Sequence, residues 1–100
     1  MPPKPPRKDP TFVFAQLNIR VMPEQRGAWF EDPLGEALGA ERLGGVTGGG
    51  TLQDESGEVL WVGLDLELTD LDRGLVFAAE FLTRAGAPRG SKLEFELSPW

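Results

Sequence analysis

The side chains best placed to do chemistry are four carboxylates, Asp65, Glu67, Asp70 and Asp72, beside a stretch of bare backbone, Gly48-Gly49-Gly50, that leads into Thr51. Asp65 and Glu67 stand two apart, so on a strand they point the same way about 7 Å apart. Oxygens so spaced could hold a divalent cation. Asp70 and Asp72, however, stand where the start of a helix takes up carboxylates as caps. The glycines invite a phosphate-cradling reading, but such a loop needs a lysine, then Ser or Thr, then a helix, and no lysine follows here. Glycine in a strand also permits a bulge, a strong twist or the close approach of another backbone. The commoner machinery is missing. With no His, Cys or Tyr there is no imidazole base, no thiolate nucleophile and no ordinary zinc site. The expectation is a chain that is not an enzyme and takes no cofactor.

The elements that must position these residues follow from periodicity. Val13, Ala15, Leu17, Ile19 and Val21 alternate with Phe12, Phe14, Gln16, Asn18 and Arg20, which predicts a strand over Thr11 to Met22 ended by Pro23. Residues 24–41 read as an interrupted helix. Asp32-Pro33 offers a cap followed by proline at the first helical position, so a turn or kink is expected there. Gly44 to Leu68 reads as a β-hairpin turning through Gln53 to Gly57. In its second arm Leu60, Val62, Leu64, Leu66 and Leu68 share one face, and Val59, Trp61, Gly63, Asp65 and Glu67 share the other. Leu71, Leu75, Ala78, Leu82 and Ala85 recur at helical spacing. That helix starts at Thr69 with Asp72 as a capping box or at Asp70 as a competing cap, and stops at Gly86. Leu93, Phe95 and Leu97 alternate with Lys92, Glu94 and Glu96 in a last strand.

The order β-α-β-β-α-β is that of an α+β ferredoxin-like two-layer sandwich, a four-stranded antiparallel sheet with two helices on one face. Right-handed crossovers are expected to put the first and last strands side by side in the middle. Acylphosphatases share this architecture, but they need a phosphate-cradling arginine loop after the first strand. Met22-Pro23-Glu24-Gln25-Arg26-Gly27 lacks that pattern. Residues 1–10, with five prolines, read as a disordered arm, and 11–100 as a single ferredoxin-like domain.

Charge narrows the partners. Lys4, Arg7 and Lys8 against Asp9 leave +2 on the first ten residues, and so −8 on the remainder of a chain whose total is −6. A domain this acidic repels phosphate backbones, so nucleic acid is not expected. No apolar run approaches the roughly 20 residues that cross a bilayer, and no apolar core follows the basic N-terminus as in a secretory signal. Together with the lack of cysteine, these features predict a cytoplasmic protein that does not enter membranes.

The side of the sheet away from the helices is then mixed, aromatic and charged at once. Such a face suits another protein, self or a different chain. The candidate interaction surface comprises Phe14, Asn18, Arg20, Gly48, Gly49, Gly50, Trp61, Asp65 and Glu67. The competing expectation is a small-molecule or metal-binding enzyme using Asp65, Glu67 and Arg89 beside the glycine-rich strand.

Four segments, Gly45-Val46-Thr47-Gly48-Gly49-Gly50-Thr51, Gly57-Glu58-Val59, Asp65-Leu66-Glu67-Leu68 and Gly86-Ala87-Pro88-Arg89-Gly90-Ser91-Lys92-Leu93, resemble a group of small bacterial proteins. Some similar sequences appear in the setting of toxin-immunity proteins. The resemblance spans residues 44–93 and implies a shared hairpin and last loop, with no active residues to transfer.

Overall fold

The computed structural model describes residues 10–95; the arm expected over residues 1–10 falls, but for Pro10, outside them, as do Glu96 and Leu97 of the last strand. The elements are β1 (Thr11–Leu17), α1 (Pro23–Arg26), a π-helical turn (Gly27–Glu31), α2 (Asp32–Ala40), β2 (Gly44–Gln53), β3 (Val59–Leu68), α3 (Leu71–Ala85) and β4 (Lys92–Phe95). The four strands form one antiparallel sheet in the order β2-β3-β1-β4, a mixed α+β two-layer sandwich as expected. Among the described residues no helix is long and apolar enough to cross a membrane.

The order within the sheet corrects one expectation. β1 and β4 are neighbours, but β3 lies on β1's other side, so β1 and β3 form the centre and β4 an edge. Burial explains the arrangement. β3 is ten residues long and buries Val62, Gly63 and Leu64 in succession, as a central strand does. β4 carries two charged residues, Lys92 and Glu94, among the four described, and suits an edge.

The core lies between this sheet and the helices. Val13, Ala15 and Leu17 of β1 and Val62, Leu64, Leu66 and Leu68 of β3 meet Phe30, Leu34, Leu38, Ala78 and Leu82, all buried. Removing such apolar surface from water contributes about 1.5–3 kcal/mol for each large side chain. α3 comes close to β3 because Gly74 has no side chain: a Cβ there would lie 3.0 Å from both Leu68 methyl carbons.

Three local departures have physical causes. β1 stops at Leu17, five residues short of Met22, because its partners run out. Its last pairs are Leu17 with Val62 and Gln16 with Lys92, and the Asn18 N–H donates to Ser91 Oγ at 3.1 Å. Leu60 is 43% exposed while Val59 is buried, the reverse of the expected alternation. The register shifts there, from Leu52 opposite Trp61 to Gln53 opposite Val59, leaving Leu60 as the extra residue of a bulge that inverts the faces.

The first helix runs on through a π-helical turn into Asp32 rather than being capped there. Glu31 and Asp32 both keep right-handed helical angles, and the Asp32 N–H reaches back five residues to the Gly27 carbonyl. Pro33 has no N–H, and its ring would crowd the Trp29 carbonyl in a regular helix. Widening the preceding turn relieves that crowding and keeps the helix continuous.

Candidate interaction surface

The side of the sheet that no described element covers centres on Phe14 of β1 and Trp61 of β3. Pairing puts Phe14 opposite Asp65 and Gln16 opposite Gly63, so Gly63 is Phe14's diagonal neighbour. The Phe14 and Trp61 rings meet edge to face, 5.7 Å between centroids and 77° between planes, a favoured aromatic geometry. Phe12, 65% exposed, extends the patch along β1, and Leu52, 42% exposed and opposite Trp61, extends it to β2. Carboxylates border it. Asp65 is exposed and Glu67 half-buried, and each has a glycine, Gly48 or Gly45, as its neighbour on β2. At the far edge Lys92 and Glu94 pair at 2.7 Å.

The expected surface is only partly assembled on this face. Phe14, Trp61, Asp65, Glu67, Gly48 and Gly50 share it. Asn18 and Arg20 lie beyond the end of β1. The Asn18 side-chain oxygen accepts from Gln16 Nε2 at 3.4 Å, and Arg20 approaches Glu58 at 3.9 Å with both side chains about two-thirds exposed, a contact of little energetic weight. Gly49 points the other way. It pairs with buried Leu64, and a Cβ on it would lie 2.9 Å from Glu31 Oε1 and 3.1 Å from Arg26 Nε.

Arg26, Glu31 and Thr51 thus form a polar cluster over the glycine-rich strand that periodicity did not reveal. Arg26 Nη1 donates to Thr51 Oγ1 at 2.8 Å. Its Nε is buried, with no acceptor among the described residues. A wide turn brings positions five apart to one side, which is how Glu31 comes to lie beside Arg26. The one signal for this was Pro33, read as a helix start.

Of the residues of the enzymatic alternative, Asp65 and Glu67 lie together beside the glycine-rich strand, and Arg89 does not join them. Asp70 accepts from the Arg73 N–H at 3.2 Å as the cap of α3. Among the described residues no three of His, Cys, Asp or Glu gather where they could hold a metal. Arg89 lines an open cavity of about 400 Å³ with Leu17, Leu82 and Ser91, on the helix side of the sheet and away from Asp65. At the hairpin turn, Asp54 Oδ1 accepts from the Ser56 hydroxyl at 2.6 Å, the Ser56 N–H at 2.9 Å and the Glu58 N–H at 3.0 Å.

No known protein family, curated protein or solved structure matches the chain.

Proposed function

We propose that the chain is a non-catalytic protein-interaction module of the bacterial cytoplasm, which binds a protein partner through the uncovered face of its sheet. The observation that supports this is the Phe12–Phe14–Trp61–Leu52 patch. Two of its members are large apolar side chains left in solvent, and the central pair packs edge to face across strands. Rigid aromatic anchors lose little entropy on binding, and a charged border excludes wrong partners. Asp65 and Glu67 beside the patch, with −6 on the chain, favour a basic partner surface. Blocking a toxin's basic groove in the manner of an immunity protein is one form of this role, and nucleic acid is disfavoured by the same charge.

Affinity capture from a bacterial lysate with the wild-type chain and with Trp61→Ala/Phe12→Ser tests the reading. A partner held by the wild type, lost from the variant and loosened by high salt is expected. Equal capture by a variant that melts like the wild type would exclude the face.

A further inference from the structure

We infer that β2 is a self-pairing edge, and that two copies of this chain join β2 to β2 in antiparallel register about a two-fold axis at Gly50, forming one continuous eight-stranded sheet. This uses the edge of the sheet and not its face, so it is independent of the reading above.

An edge strand presents a row of unpaired N–H and C=O groups, which proteins ordinarily guard with charge, proline, shortness or bulges. β4 is guarded by charge, carrying Lys92 and Glu94 within its described residues. β2 is ten residues long, with no charged residue and no proline from Gly44 to Gln53. Its outer edge has no partner strand among the described residues.

The register follows from the strand itself. Register shifts lie between Val46 and Gly48 and between Leu52 and Gln53, leaving a regular run, Gly48 to Leu52, whose midpoint is Gly50. A two-fold axis at Gly50 sets Leu52 beside the partner's Gly48 and Thr51 beside the partner's Gly49. Each side chain then meets a gap, and Gly50 meets itself. An axis at Gly49 would instead set Leu52 against Val46 across the bulge.

Charge agrees with the same axis. The two-fold is perpendicular to the sheet, so both helical layers lie on one side. Arg26 reaches from Gly49, where its Nε and Glu31 Oε1 both lie, to Thr51, which its Nη1 bonds, and it closes no ion pair with Glu31. Because Thr51 neighbours the partner's Gly49, Arg26 comes to face the partner's Glu31, and Glu31 the partner's Arg26. A symmetric interface requires this reciprocity.

Two experiments on the full chain test the inference. The chain has no cysteine, so Gly50→Cys places one thiol per copy on the axis. A Cβ there has nothing within 4 Å. Directly opposed residues have Cα atoms about 4.5–5.5 Å apart, within the range a disulfide spans. Oxidation should convert Gly50→Cys to covalent dimer, whereas Gly45→Cys, equally unobstructed but roughly 30 Å from its symmetry mate, should not cross-link. Slow, equal cross-linking of both, or none, overturns the register.

In sedimentation, Arg26→Glu and Glu31→Arg should each weaken dimerisation about tenfold or more. Mixing the two variants should restore it, because Glu at 26 of one copy then faces Arg at 31 of the other, while the unchanged Glu31 of the first faces the unchanged Arg26 of the second. Restoration on mixing also shows that both variants fold. Wild-type chain that stays monomeric at millimolar concentration overturns the self-pairing altogether.

Discussion

The Phe14 ring lies on Gly63, and this is why Phe14 and Trp61 can meet edge to face on an open sheet. A Cβ at residue 63 would lie 2.4 Å from Phe14 Cζ and 3.3 Å from Trp61 Cζ3. The glycine is therefore part of the aromatic pair: it leaves the hollow that the ring fills, and the ring covers backbone that glycine leaves bare.

Gly63→Ala should accordingly destabilise the fold by about 1–3 kcal/mol, the usual cost of overpacking. The effect should nearly vanish when Phe14 is already alanine. Urea unfolding of the two single variants and the double variant measures the coupling. Additivity within about 0.5 kcal/mol would mean that the ring does not rest on residue 63.

Gly44 is tied to backbone instead. Its φ is +143°, and a Cβ would lie 1.8 Å from the Glu67 carbonyl oxygen, so no side chain can yield to make room. Gly44→Ala should cost about 3 kcal/mol or more. Gly45→Ala, with nothing within 4 Å, should stay within about 1 kcal/mol of wild type. Paired thermal melts check the contrast.

What periodicity revealed, and what it did not, divides along physical lines. The faces of β3 from Trp61 to Leu68 and the span of α3 follow from side-chain spacing, because one face of each meets a single continuous core. The bulge at Leu60 left no such trace, since a one-residue slip is decided by how the two arms pair and not by either arm alone. The end of β1 likewise depends on where Val62 and Lys92 stop offering partners. Asp32-Pro33 has the composition of a helix start and became the interior of a helix, because a widened turn relieves the proline's crowding at less cost than breaking a helix that buries Phe30 and Leu34. That choice placed Arg26 and Glu31 over Gly49. The aromatic patch was legible in the sequence, and the charged cluster was not.

The start of α3 offered two caps, and the structure uses one. Asp70 has extended backbone angles and accepts from the Arg73 N–H, whereas Thr69 donates its hydroxyl to the Arg42 carbonyl at 3.2 Å. Asp70→Ala should therefore lower stability by about 1 kcal/mol. Asp70→Asn, which keeps the accepting oxygen, should recover most of it. If Thr69→Ala is the more damaging change in chemical denaturation, the capping assignment is wrong.

Asp54 gives the hairpin turn a pH dependence with a definite sign. The Ser56 hydroxyl bond first, then the Glu58 N–H, hold its carboxyl below the ordinary aspartate value of 3.8, because all of these donors favour the charged form. A pKa depressed by folding contributes stability that is complete above the unfolded value and is lost as pH falls through the folded one. The turn should stay closed on acidification to below the ordinary aspartate value of 3.8 and then open. In an NMR titration the Ser56 and Glu58 amide signals should move together, with a midpoint under 3.8. Asp54→Asn removes the charge while keeping an accepting oxygen, so it should abolish that inflection and leave the turn formed at neutral pH. An inflection that survives Asp54→Asn would mean that Asp54 does not govern the turn.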